Sequence, residues 1–190
     1  ANEKERLTLA ARSEILEKYI SNLNFRSTIE MFALSGNEIR QRMQNQTLDI
    51  AVLQENFETY DYFRKKLFTS EWRIIYPESW KNKTPSKSLN PELWIQEASP
   101  LPFASYDKDL TTLRNHFVKK SSLPKLNLEL IAADWRIIYQ SVVKQKCWAI
   151  VPEDFAKAEK VISIPTQSLM HVNHFYVYFL KTLAKNKDLG

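Results

Sequence analysis

Apolar residues along this chain recur first with a period of two, then with a period near that of a helix, and the alternation of these periods predicts its elements. Residues 7–10, LTLA, read as a short strand. Ser13 then opens a helix: Ile15, Leu16, Tyr19, Ile20 and Leu23 share one face, Ser13 can cap it, and Glu14 and Glu17 favour its first turn. STIEMFAL (27–34) reads as a strand with Ile29, Met31 and Ala33 on one face. Ser35, Gly36 and Asn37 turn the chain into a short helix carrying Ile39 and Met43. LDIAVLQ (48–54) is a buried strand with one acid, Asp49, at its start. Strand, helix, strand, helix, strand implies right-handed crossovers and a parallel sheet.

The second half repeats the theme. EWRIIYP (71–77) is a strand stopped by Pro77, and the polar stretch 78–92 after it marks a lobe boundary. LWIQ (93–96) and LPFASY (101–106) read as short strands. Asp107 begins a helix with Leu110, Leu113, Phe117 and Val118 as its stripe. KLNLELI (125–131) alternates as a strand, and Asp134 caps a helix over 135–146. Residues 147–152 and 160–165 read as strands and 153–159 as a short helix, and 174–180 with 181–187 close the chain as strand and helix, or partly as one helix. EWRIIY (71–76) is nearly repeated as DWRIIY (134–139), but the flanks differ. Pro77 stops the first, whereas Ser141, Val142 and Val143 continue the second, so the first is expected to be strand and the second helix.

Composition narrows the function. The chain has 190 residues, of which 44% are hydrophobic and 26% charged, enough for one large domain or two small lobes. The apolar runs, such as FYVYFL (175–180), are too short to span a bilayer, so no membrane role is expected. Two glycines, Gly36 and Gly190, exclude the Gly-rich phosphate loops of Rossmann and P-loop enzymes. The lone Cys147 cannot form an internal disulfide, and no signal peptide is visible, which fits a cytoplasmic protein. A net charge of +5 raises the question of nucleic acid. The lysines, however, are scattered in pairs such as Lys65 and Lys66, Lys119 and Lys120, or Lys144 and Lys146, as solvated faces usually are. Cys147 lacks the surroundings of a nucleophile. His171 and His174 fall on opposite sides of a strand, and His116 reads as helix surface, so no metal site is expected. No paired carboxylates suggest an enzyme, and no cofactor is expected.

The ordered series of segments resembles the effector-binding domain of LysR-type bacterial transcription regulators. The pieces are LDIAVLQ after NQT, WRIIYP, SKSLNPELWIQEASPLPFASY (86–106) and LPKLNLELIAADWRIIYQSVVKQKCWAIVPED (123–154). The resemblance covers residues 6 to 184 and rests on the order rather than on any single motif. One departure stands out: Lys146, Cys147 and Trp148 occupy the place of the family's Gly-x-Gly. The resemblance implies a two-lobe α/β fold like that of type 2 periplasmic binding proteins, each lobe a mainly parallel sheet flanked by helices. Residues 1–75 with 164–190 would form one lobe and 76–163 the other, with crossings near Ile75–Pro77 and Ser163–Pro165. An effector would lie in the interlobe cleft, at the carboxyl ends of the strands.

The candidate ligand contacts follow from the turns at those ends. Arg12 and Ser13 stand at a helix start, where amides and a guanidinium suit an anion; the bland alternative is a cap beside a solvated arginine. Ser35 and Asn37 form the second such turn, with a plain helix cap as the alternative. Ser105 and Tyr106, then Asp134 and Trp135, match the ligand-facing turns of the second lobe, although burial is the commoner fate of a tryptophan such as Trp135. A small anionic or zwitterionic effector is therefore expected. The resemblance also implies a homodimer and contact with DNA only through an N-terminal helix-turn-helix outside this sequence. The alternatives are a free-standing solute-binding protein of a transporter and an enzyme of the same two-lobe fold, such as a porphobilinogen-deaminase-like transferase.

Overall fold

A computed structural model describes residues 6–54, 57–87, 89–156 and 160–183. The strands in chain order are β1 (Arg6–Ala11), β2 (Thr28–Ala33), β3 (Ile50–Leu53), β4 (Tyr62–Ser70), β5 (Trp72–Pro77), β6 (Pro102–Ser105), β7 (Asn127–Ile131), β8 (Trp148–Pro152), β9 (Val161–Pro165) and β10 (Asn173–Leu180). The α-helices are α1 (Ser13–Ile15), α2 (Gly36–Gln44), α3 (Pro91–Ala98), α4 (Thr111–Arg114) and α5 (Trp135–Val143). Two compact units result: residues up to 69 together with those from 174 on, and residues 70–173.

The first unit holds a five-stranded sheet in the order β2-β1-β3-β10-β4. β1 runs parallel to β2 and to β3, and β10 runs antiparallel to β3. Successive side chains of a strand face opposite ways, so neighbouring residues of β1 build separate cores. Leu9 and Ala11 pack with Ile15, Ile20 and Phe175 on one face; Ala10 packs with Ile39, Met43 and Tyr178 on the other. Asp49 locks the register of β1 against the start of β3: its Oδ2 accepts from the Thr8 amide and from Thr8 Oγ1, each at 2.8 Å. The Asp49 amide donates back to Thr8 Oγ1 at 3.0 Å.

The second unit holds a sheet ordered β7-β6-β8-β5-β9. β6 is parallel to β7 and β8, whereas β5 is antiparallel to β8 and β9. Both sheets are therefore mixed: three neighbouring strands run parallel and the next, β10 in the first and β5 in the second, runs against them, on the two-lobe plan expected. One large core fills this unit, with Trp72, Trp94, Trp135 and Trp148 all buried.

Several expectations are met and several are corrected. The two WRIIY segments are strand in β5 and helix in α5. Residues 93–96 belong to α3 instead of a strand, because Asn90 caps the Leu93 amide at 2.8 Å and Pro91 sits at the first helical position. β4 has no counterpart among the expected elements. The helix expected from Asp107 shortens to one turn, α4: Leu110 takes a left-handed backbone (φ 55°), and Phe117 is drawn into an antiparallel bridge with Met170. The first helix is α1 followed by a π-helical turn over Leu16–Ile20, and Leu23 is exposed. The expected crossings lie inside β5 and β9, which pair with each other (Ile74 with Ile164), so both strands belong to the second unit. The expected helix over 153–159 is a 3-10 turn at Glu153–Phe155; Ala156 is buried outside any helix, and 157–159 lie outside the described residues. Residues 184–187 of the last expected helix also lie outside them.

Candidate functional site

In the first unit the carboxyl ends of β1, β2 and β3 lie at one edge, because the three strands are parallel. The Leu34 amide donates to the Ala11 carbonyl at 3.0 Å, which brings the turn after β2 beside the turn after β1. Arg12 Nη2 donates to Gln54 Oε1, which ties in the end of β3. Arg12 itself occupies the N-cap position, and its carbonyl accepts from the Ile15 and Leu16 amides at 3.0 Å. Ser13 is the first helical residue rather than the cap, and its Oγ lies 3.4 Å from Glu14 Oε2. Glu14, only 2% exposed, also stands 3.8 Å from Arg12 Nε. The edge thus carries a cation, a buried carboxylate and an amide side by side.

Ser35 caps α2 in a reciprocal box. Its Oγ accepts from the Glu38 amide at 3.3 Å, and Glu38 Oε2 accepts from the Ser35 amide at 2.9 Å and from Ser35 Oγ at 2.6 Å. These bonds hold the Glu38 carboxyl below its ordinary range. Asn37 is exposed, and its Oδ1 accepts from Arg40 Nη2. Both side chains serve the helix start in this state.

In the second unit the ends of β6 and β7 meet where the Ala132 amide donates to the Ser105 carbonyl at 3.0 Å. Ser105 is buried; its Oγ donates to the Asp107 carbonyl at 2.8 Å. Asp134 accepts from the Arg136 amide at 2.9 Å and pairs with Arg136 Nη2 at 2.6 Å. Trp135 is buried between Tyr106 (ring centroids 4.5 Å) and Trp72 (5.6 Å), so its ring is core and Tyr106 is the more accessible aromatic. The structure therefore brings Arg12, Ser13 and Ser35 to one edge, and Ser105, Tyr106, Asp134 and Trp135 to another.

Glu14 and Gln54 were missed as site neighbours in the sequence. Glu14 looked like an ordinary first-turn acid, and nothing local announces its burial. The π turn, closed by the Ser21 amide donating to the Leu16 carbonyl at 2.8 Å, had no signal either. Such turns often accompany functional sites. His116 is partly buried rather than surface: its ring lies 4.9 Å from that of Trp72, and Nδ1 lies 2.7 Å from the Thr112 carbonyl. Among the described residues no cluster of His, Cys, Asp or Glu could hold a metal ion, and no helix is long and apolar enough to cross a membrane.

Burial pushes the Cys147 thiol up to about 11. At pH 8 it stays protonated, and thiolate is the reactive form. Iodoacetamide labelling of the native chain at pH 8 is accordingly expected to be slow and to follow unfolding. Labelling as fast as that of free cysteine would show the thiol to be accessible.

No family profile matches the chain, and no curated protein matches it. Solved structures do. CrgA, a LysR-type transcriptional regulator from Neisseria meningitidis, superposes with a TM-score of 0.74 at 13% identity, over 96% of this chain and 64% of CrgA. Full-length BenM gives 0.66 at 10%, over 95% of this chain and 62% of BenM. The cofactor-binding domain of the Cbl transcriptional regulator gives 0.70 at 18%, over 94% of this chain and 82% of that domain. The chain thus spans less than two thirds of full-length BenM and CrgA. With two mixed five-stranded sheets in this order and these superpositions, the chain has the two-lobe, periplasmic-binding-protein-like fold of the effector-binding domains of LysR-type regulators.

Proposed function

We propose that this chain is the ligand-sensing domain of a LysR-type transcription regulator, whose state is set by a small anionic or zwitterionic metabolite. The observation that carries the reading is Arg12 at the shared carboxyl edge of β1, β2 and β3, on a fold used for effector binding. Open α/β sheets hold ligands at that edge. Arg12 offers a guanidinium fork, and Ser13 and Ser35 add hydroxyls. The buried Glu14 makes a ligand that also carries an ammonium group a good fit. Tyr106 and Asp134 are the proposed contacts of the second unit, with the buried Ser105 and Trp135 supporting them from behind.

A thermal-shift screen of metabolites tests this, because a ligand bound only by the folded state raises its apparent stability. Arg12→Ala should then weaken the hit by about tenfold or more in calorimetry, the loss expected for a charged hydrogen bond. Unchanged affinity would remove Arg12 from the site, and a neutral apolar hit would sink the reading.

The domain is further proposed to act as a homodimer and to reach DNA only through a separate helix-turn-helix. β2 is an edge strand with Thr28 and Met31 exposed, and α2 keeps Ile39 and Met43 inward while Gln41 and Gln44 face out. Ile29 packs against the core, so Thr28→Glu is the cleaner probe. In a two-fold interface it counts twice and should shift a dimer to monomer in sedimentation. A wild-type chain that is monomeric at high concentration would count against the pairing. Tight duplex binding by this chain at physiological salt in a gel shift would contradict the DNA part.

A further inference from the structure

The first sheet has a second free edge. β4 closes the order and, among the described residues, pairs with β10 alone. It is nine residues long, and Phe63 to Leu67 are all exposed. Its centre reads Arg64, Lys65, Lys66. Neither lysine has a carboxylate partner among the described residues. Phe63, 52% exposed, and Leu67, 43% exposed, flank this basic block, and Tyr60 just ahead is also exposed. The Lys181 ammonium lies 5.6 Å from the Phe63 ring, and the Arg64 guanidinium 5.3 Å from that of Tyr176. The opposite edge differs: Glu30 of β2 is paired with Arg6 at 2.8 Å.

We propose that the outer edge of β4 is a docking strand for an acidic, extended segment of a partner protein, which adds to the sheet as a sixth strand. A row of unpaired backbone amides and carbonyls is a template for another strand. Alternation puts Phe63, Lys65 and Leu67 on one face and Arg64 and Lys66 on the other. A partner with acids opposite the lysines and apolar residues opposite Phe63 and Leu67 satisfies both faces through cross-strand pairs. The same charges select against other occupants. A second copy would set one basic block against another, which is the use of edge lysines against self-pairing. A long polyanion such as DNA would meet the exposed acids Glu58 and Asp61 beside the short basic block.

The test uses the whole chain and a short fluorescein-labelled peptide with three consecutive Glu flanked by Val and Ile, which sets acids opposite Arg64, Lys65 and Lys66 and apolar residues opposite Phe63 and Leu67, followed by anisotropy. The acidic peptide should bind, whereas its counterpart with Lys for Glu and a version N-methylated at alternate amides should not. Lys65→Glu with Lys66→Glu should weaken binding by about tenfold or more, from like charges replacing opposite ones across the pair. These positions are exposed, and circular dichroism checks the fold. Should that variant misfold, the peptide series on the unmodified chain decides. Equal binding of the Lys-bearing or N-methylated peptide would overturn the proposal, as would undiminished binding by the double variant. So would an oligonucleotide that displaces the peptide and binds more tightly at physiological salt, or a dimer that the double variant dissolves.

Discussion

Trp148→Ala is expected to destabilise the second unit by about 3–5 kcal/mol, the usual cost of removing a buried aromatic. Trp148 is 0% exposed and lies on β8, between β6 and β5 in the middle of the sheet. Its ring packs on Phe103 (centroids 4.6 Å) and edge-on to Trp94 (5.2 Å). Its Nε1 donates to the Leu101 carbonyl at 3.3 Å. Truncation therefore leaves a cavity, breaks aromatic pairs and removes the donor from a part-buried carbonyl at once. The control is Ile137→Ala on α5, 53% exposed, where the change should stay within about 0.5 kcal/mol. Urea titrations followed by circular dichroism read both. A loss for Trp148→Ala below about 1 kcal/mol would mean the site collapses around the gap, contrary to this packing.

The second large effect lies in the first unit. Asp49→Ala should cost about 2–3 kcal/mol, since it removes a carboxylate that accepts two hydrogen bonds from Thr8. The Thr8 amide would be left without its partner in a part-buried position. Asp49→Asn keeps an acceptor oxygen and should recover part of the loss. Coupling between Asp49→Ala and Thr8→Val should be about 0.5 kcal/mol or more if the two residues act as one lock. Additive losses in the urea titration would show that they do not.

The reason Asp49 was visible only as a strand's opening acid is that its partner is 41 positions away. Local pattern reports burial and period, and it served well where both were strong. β1, β3, β5 and β8 carry nearly unbroken apolar runs, and α5 carries a cap and a stripe. The WRIIY pair shows what decided the ambiguous case. Asp134 is short enough to accept from the Arg136 amide and start a helix, and Pro77 ends the strand that follows Glu71. β4 was missed because it is an edge: with Phe63, Lys65 and Leu67 in water there is no period-two contrast to read. α3 was missed although Asn90 and Pro91 announce it, because Leu93 to Ile95 were read as a strand. At the candidate site the helix starts were legible from Ser35 and Asp134. The buried Glu14 beside Arg12 was not, since burial of a single acid depends on what the sheet brings against it.

The discontinuity of the first unit bears on the order in which a ribosome could fold this chain. Residues 70–173 form the second unit as one uninterrupted segment, so all its strands are made before Phe175 is. β10, by contrast, sits between β3 and β4 and supplies Phe175 and Tyr178 to the two faces of the first core. Until it emerges, β4 has no neighbour in the sheet, and the edge of β3 lies open. The unit begun first is thus finished last, and its unpaired strands are displayed throughout synthesis of the other.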